Sequence, residues 1–320
     1  MVINMKKNAK MIQSVMIGHA VADALGVPVE FCTRFSLDAN PVTDMRGYGS
    51  YAVPAGAWSD DTSMSVAALD VLADGTLHYD KIMKNFVKWC NHSEYTPTGK
   101  MFDIGITCRT AIRNYEAGTP ALDCGLSDEY SNGNGSLMRV HPFVLMAYVC
   151  ERLRPDLDGM MENASRLTHG HERSVLACKL YARVLVALLD HPAKESVTAA
   201  LDEAKRLYAD SPELPAYQRL LAPDFTQIPR EHIRSSGYVV DTLEAALWCL
   251  MTTDSYEACV LKAVNLGSDT DTVGAVAGGL AGALYGYSAI PESWRETLIK
   301  RAYIENMCDR AAKKWATPTS

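Results

Sequence analysis

The chain has 320 residues, 48% of them hydrophobic and 22% charged, a composition that excludes a disordered, collagen-like or mucin-like polymer. A chain this long buries roughly three quarters of its unfolded surface, so it needs no metal or disulfide to fold, and a bound metal is expected to serve function. The net charge of −7, from 38 acidic and 31 basic side chains without basic clusters, argues against DNA, RNA or anionic lipid as a partner.

Taken in chain order, the first segment, MVINMKKNAKMIQSVMIGHAVADALG, sets two lysines ahead of an apolar stretch in the manner of a signal peptide. His19 and Asp23 interrupt that stretch, and Met11, Ile12, Val15, His19 and Ala22 share one helical face, so a soluble helix is expected. Residues 40–58 form a long Gly- and Pro-bearing connection, and a helix follows over Met64 to Leu72. A second long loop covers 117–136, then Ala177, Tyr181, Val184, Leu185 and Leu188 mark a helix within 174–189. The third loop, 209–237, is punctuated by Pro212, Pro215, Pro223 and Pro229. Loops of this length are uncommon in a compact domain and are often functional. Helices over Leu243 to Met251 and through Val273, Val276, Leu280 and Leu284 close the series.

Alternating β-branched runs are missing, no repeat of fixed period is visible and no linker separates two units. The expected fold is all-α, one domain over 1–320, acting as a monomer. Outside the N-terminal segment the longest apolar run, Thr272 to Tyr285, spans about fourteen residues, short of the roughly twenty that a bilayer requires. Nine scattered cysteines with no CxxC pair read as small buried hydrophobes in a reducing, cytoplasmic setting.

Two acidic clusters carry the chemistry. Trp58-Ser59-Asp60-Asp61-Thr62 and Gly267-Ser268-Asp269-Thr270-Asp271-Thr272 each stand before a helical pattern, about two hundred residues apart. Ser, Asp and Thr cap helix N-termini, but one residue suffices for a cap. Two carboxylates at each of two sites would repel one another without a cation. If the helix starts converge, Ser59, Asp60, Asp61, Asp269, Asp271 and Thr272 supply six oxygen-bearing side chains. Such a set suits two hard divalent cations, Mg²⁺ or Mn²⁺, about 3.5–4 Å apart. Paired caps and a metal site are both open on spacing alone. An EF-hand is excluded, since neither cluster continues into its twelve-residue loop. The helix after the second cluster, rich in Gly and Ala, is expected to pack closely and fix Asp269 and Asp271.

A third segment, Ser131-Asn132-Gly133-Asn134-Gly135-Ser136-Leu137-Met138-Arg139, is glycine-rich ahead of a helix. Its exposed amides would suit an anion, and an ordinary turn is the competing reading.

Together these motifs resemble the ADP-ribosylglycohydrolases. The resemblance rests on Gly18-His-Ala-Val-Ala-Asp23-Ala-Leu-Gly26-Val-Pro-Val-Glu30-Phe31, Ser59-Asp60-Asp61-Thr62 and Phe102-Asp103-Ile-Gly105. It extends through Gly133-Asn134-Gly135-Ser-Leu-Met138-Arg139, Thr168-His169 and Ser268-Asp269-Thr270-Asp271-Thr272-Val-Gly-Ala, covering residue 18 to about 286. It implies a compact orthogonal multi-helix domain with two Mg²⁺ or Mn²⁺ ions in a central cleft, held by Ser59, Asp60, Asp61, Asp269, Asp271 and Thr272. Glu30 matches a glutamate that reaches the scissile bond and Asp103 an aspartate near the same centre. Ser131, Gly133, Asn134, Gly135 and His169 match positions that contact ADP-ribose. Three departures are Ala22 for a common glycine, Ser59 for threonine and Asn132 for an aromatic residue.

The implied activity is hydrolysis of ADP-ribose from an acceptor on protein, arginine being the commonest. The alternatives are a silent binder of ADP-ribose and a hydrolase of serine-, nucleic-acid- or small-molecule-linked ADP-ribose. Nucleic acid enters only as a carrier of that mark. Glu30 is the first choice for proton transfer and Asp103 the second, against a solvated loop glutamate and a helix cap respectively. His169 is expected to contact ligand and His171 to be structural. Trp58 should pack under the first cluster, and Arg139 should form a salt bridge within the fold.

Overall fold

In the computed structural model, which describes residues 2–316, helices joined by turns account for the regular structure. No strand occurs among those residues, only two isolated bridges, Leu126 with His169 and Gly133 with Tyr238. The helices are α1 (Val2–Gly26), α2 (Arg34–Ala39), α3 (Asp60–Leu72), α4 (Tyr79–His92), α5 (Ile106–Glu116), α6 (His141–Val149) and α7 (Leu157–Arg166). There follow α8 (Glu172–Asp190), α9 (Lys194–Leu207), α10 (Val239–Met251), α11 (Tyr256–Val264), α12 (Thr270–Tyr285), α13 (Glu292–Thr297) and α14 (Arg301–Trp315).

The centre of the fold is the pair α1 and α12, packed along one another and flanked by α3, α6, α10, α11 and α14. Glycine makes their approach possible, because side chains are missing where the backbones meet. A Cβ on Gly278 would fall 2.4 Å from the Gly18 carbonyl oxygen, and one on Gly282 would fall 2.0 Å from that of Ser14. The glycine- and alanine-rich stretch therefore packs as the sequence implied, and it brings the first turn of α12 against the last turn of α1.

α1 departs from the single apolar face read in the sequence. From Ser14 to Gly26 it is buried on every side, with Ser14, His19 and Asp23 inside as well as the apolar residues. By length and composition Met5–Val29 could cross a bilayer, but 94% of the tested window lies inside the protein, as expected of a core helix. One hydrophobic cluster runs from Ile12 to Trp315. Its cysteines are all free; six are buried and three, Cys32, Cys90 and Cys150, are half-buried. The stretch 209–237 is not structureless. Three single turns of 3₁₀ helix, Leu214–Tyr217, Phe225–Gln227 and Arg230–His232, fold it onto the core, with Tyr217 and Phe225 as buried anchors.

Gly278→Ala tests the central contact. Alanine should favour the helix by about 1 kcal/mol, yet its methyl group would meet the Gly18 carbonyl and the Ala22 Cβ, neither of which can swing aside. The denaturation midpoint should fall, by the equivalent of about 1–3 kcal/mol. A stabilised variant would show that α1 and α12 are not in backbone contact.

Candidate active site

Four chain segments deliver carboxylates to one place. The N-terminus of α3 is organised by Asp23 of α1, which accepts from the Ser59 amide at 3.0 Å and from the Thr62 amide and hydroxyl at 3.1 and 2.6 Å. Ser59 caps α3, its hydroxyl accepting from the Asp61 amide and donating to Asp61 Oδ2 at 3.0 Å. Asp60 and Asp61 follow in the first turn, buried at the positive end of the helix dipole.

The second cluster stands at the start of α12. Thr270 donates to the Gly26 carbonyl at 2.8 Å, and a Cβ on Gly26 would fall 2.4 Å from the Asp271 Cα. Gly26 is thus the residue that lets the end of α1 support Asp271. Thr272 joins the clusters directly by donating to Asp61 Oδ2 at 3.2 Å. The convergence required by the metal reading is present: oxygens of Asp23, Asp61 and Asp271 lie within 4.8 Å of one another, as do oxygens of Glu30, Asp103 and Asp271.

Glu30 follows the 3₁₀ turn Val27–Val29 and is buried, not the solvated loop residue that Pro28 alone would suggest. The next residue is locked to the second cluster. Phe31 N–H donates to the Ser268 carbonyl at 2.7 Å and Ser268 N–H donates to the Cys32 carbonyl at 2.8 Å. Both Phe31 and Ser268 take the left-handed conformation, with φ of 66°, at a cost of about 1–2 kcal/mol each. Asp103 is left-handed as well, φ 56°, and does not cap α5, whose cap position is Gly105. Tyr51, from the 40–58 loop, hydrogen-bonds toward both Glu30 and Asp103 and packs on Phe102 with ring centroids 5.0 Å apart.

These residues surround a cavity of about 230 Å³. Glu30, Asp60, Asp103, Asp269 and Thr272 line it together with Gly133, Asn134, Gly135 and His169. Asn134 ties the two groups by donating to Asp269 Oδ2 at 2.8 Å. Gly135 is required because a Cβ there would lie 2.7 Å from Cys108 Sγ and 2.9 Å from His169 Cε1, whereas one on Gly133 would sit 3.4 Å from His169 Nε2 in ordinary contact. Ser131 does not line the cavity; its hydroxyl donates to Asp128 at 2.6 Å and supports the loop. Asn132 is likewise internal, accepting from Ser174.

Electrostatically the site asks for a cation. Burial, followed by the charges of neighbouring carboxylates, raises Asp60, Asp61 and Asp271 well above the ordinary aspartate range. Burial and then the Asp103 charge push Glu30 up to about 9. Asp23 is pushed by burial only to about 6, because the α3 donors favour its charged form. Glu30 Oε2, Asp61 Oδ1 and Asp271 Oδ2 are buried without a hydrogen-bond partner. Buried orphan carboxylate oxygens are costly, and an all-oxygen set of this kind fits a hard divalent cation.

All six expected metal positions, together with Glu30 and Asp103, are brought together. The motif alone assigns Asp23 no role, although a carboxylate on an otherwise apolar helix stretch is the signal for one. Tyr51 and Cys108, which also lines the cavity, carried no such signal. Trp58 is buried beside the first cluster and donates to the Ile299 carbonyl at 2.9 Å. His171 caps α8. The salt bridge expected of Arg139 is absent among the described residues. Its fully buried guanidinium donates to the Ala164 carbonyl and Thr168 hydroxyl and lies over Phe86. The C-terminal end of α7, with its partial negative charge and free carbonyls, takes the place of a carboxylate.

Known proteins share this arrangement of chain. The chain is 34% identical over 301 residues to ADP-ribosylarginine hydrolase Tri1 of Serratia proteamaculans, covering 92% of this chain and 77% of that one. It is also 34% identical over 286 residues to ADP-ribosyl-(dinitrogen reductase) glycohydrolase of Rhodospirillum rubrum, covering 88% of each. A solved structure described as an ADP-ribosylglycohydrolase-related protein complex superposes with a TM-score of 0.82 at 31% identity, over 98% of this chain and all of that one. With the ADP-ribosylglycohydrolase family model matching residues 6–320, the chain belongs to the ADP-ribosylglycohydrolase family.

Proposed function

We propose that the protein removes ADP-ribose from modified arginine side chains by hydrolysing the N-glycosidic bond at C1″ of the ribose. The observation that carries this reading is the gathering of Glu30, Asp60, Asp103 and Asp269 on one cavity, with orphaned oxygens of Asp61 and Asp271 behind them. The names of the arginine-directed relatives support the choice of acceptor. A binder without catalysis would have no need of these mutually repelling buried acids.

Ser59, Asp60, Asp61, Asp269, Asp271 and Thr272 would hold two divalent cations, Mg²⁺ or Mn²⁺. Bound there, the ions would supply Lewis acidity toward the ribose hydroxyls and a water. Glu30 gives or takes the proton, its Oε2 being free of protein partners. Asp103 is the second candidate, and Tyr51 steadies both. As the acceptor leaves, oxocarbenium-like charge on C1″ is stabilised by this carboxylate wall. Gly133, Asn134, Gly135 and His169, which line the same cavity, bind the ADP-ribosyl group, with Ser131 bracing their loop through Asp128. We assign the activity to a monomer in the cytoplasm, a reducing setting that suits nine free cysteines.

The direct test is incubation with arginine-, serine- and DNA-linked ADP-ribose, with Mg²⁺ or chelator, read by mass spectrometry. Metal-dependent release from the arginine conjugate is expected. Release only from the serine or DNA conjugate would overturn the acceptor, and binding without release from any conjugate would overturn hydrolysis. Asp60→Ala and Asp271→Ala should each abolish release and weaken Mn²⁺ binding in calorimetry; full activity in both would remove the metal site from the mechanism. Glu30→Gln should slow turnover by about 10²–10⁴-fold while ADP-ribose still binds. Unchanged turnover would transfer the proton role to Asp103.

Metal and pH are coupled with a definite sign. The raised carboxylates bind protons in the metal-free fold that the unfolded chain has released above the aspartate value of 3.8. Metal-free stability therefore falls as pH rises from there toward the Glu30 value of about 9. A cation replaces those protons, so the rise in melting temperature on adding Mn²⁺ should be larger at about pH 8 than at about pH 5. An equal or reversed effect would place cation binding elsewhere.

A further inference from the structure

Behind the Gly133–Gly135 lining of the cavity, three side chains stand in series. Arg139 Nη2 donates to Thr168 Oγ1 at 2.7 Å, and Thr168 Oγ1 is 2.8 Å from His169 Nδ1. A guanidinium has no acceptor atom, so the threonine oxygen accepts from Arg139 and its single proton is free for another partner. Two acceptors are within reach, His169 Nδ1 and the thiol of Cys108. Sulfur is the weaker acceptor, 2.8 Å is a good hydrogen-bond length, and donation by a cation polarises the hydroxyl toward giving its own proton. Nδ1 then accepts, and in the neutral ring Nε2 carries the hydrogen.

Nε2 is the atom turned toward the ligand side. It lies within 3.5 Å of the points where side chains on Gly133 and Gly135 would begin, and His169 lines the cavity. We infer that Arg139 and Thr168 are positioning residues that hold His169 in its Nε2–H tautomer, presenting a fixed donor to a phosphate or ribose oxygen at the Gly133–Gly135 wall. The opposite tautomer would point a lone pair at that oxygen. Burial, then the Arg139 charge, holds the His169 pKa down at about 3, which keeps the ring neutral and its two nitrogens distinct. Arg139 is itself anchored at the end of α7 by the Ala164 carbonyl, 3.1 Å away, so the relay has a rigid base. The identity of the oxygen rests on the ADP-ribose reading above; the tautomer does not.

The test reads the two parts separately. Long-range ¹H–¹⁵N correlation spectra of the ligand-free protein, with the His169 signals assigned by their loss in His169→Gln, should show a protonated Nε2 and an unprotonated Nδ1. Thr168→Ser keeps the hydroxyl and should keep both the tautomer and the affinity for ADP-ribose. Thr168→Val removes the donor to Nδ1. Its spectrum should lose the single-tautomer pattern, and calorimetry with ADP-ribose in the presence of Mn²⁺ should show affinity reduced about tenfold, as for one hydrogen bond. A protonated Nδ1 in the unaltered protein would overturn the relay, as would a valine variant with unchanged spectrum. If the tautomer follows this pattern and no variant binds ADP-ribose, the relay stands and the functional reading falls.

Discussion

Seven carboxylates meet in this fold, from Asp23, Glu30, Asp60, Asp61, Asp103, Asp269 and Asp271, and the arrangement around them answers to their mutual repulsion. Three answers are visible. Asp23 spends its charge on the free amides of α3, where the helix dipole favours it. Asp61 is bridged by hydroxyls from Ser59 and Thr272. The remaining oxygens are left for positive charge that the chain itself does not provide. Among the described residues no lysine or arginine lines the cavity, so a cation from solution can meet the carboxylates without competition.

That economy depends on helix geometry more than on any single hydrogen bond. The acids at the start of α12 are positioned by backbone contact with α1, Gly26 against Asp271 and Gly278 against Gly18, and those at the start of α3 by the hydrogen bonds of Asp23. Where backbones touch, there is little side-chain freedom left to relax, and the site is held to a narrow range of distances. The same rigidity explains why left-handed conformations at Phe31, Asp103 and Ser268 persist at the rim of the cavity. Local strain survives where surrounding structure over-determines it.

Much of this is legible in the sequence. The two acidic clusters exceeded what a cap requires, and the excess identified them. Other features were hidden for physical reasons. Periodicity records which residues are apolar, so α1 read as one-faced although Ser14, His19 and Asp23 are buried with the rest. Tyr51 sits in a loop, where no period constrains it. Arg139 read as half of an ion pair because helix-end carbonyls, which take the carboxylate's part, have no letter in the sequence.

The contact between Gly26 and the first turn of α12 spans 244 residues of chain. Both halves of the acidic centre must therefore wait for one another during synthesis, and the carboxylates of α3 are made long before Asp269 and Asp271 exist to share a cation with them. A nascent chain released before α12 would carry a helix built for a partner it never meets. Such long-range closure slows folding, because the entropy of bringing distant segments together is lost before the contact returns any stability.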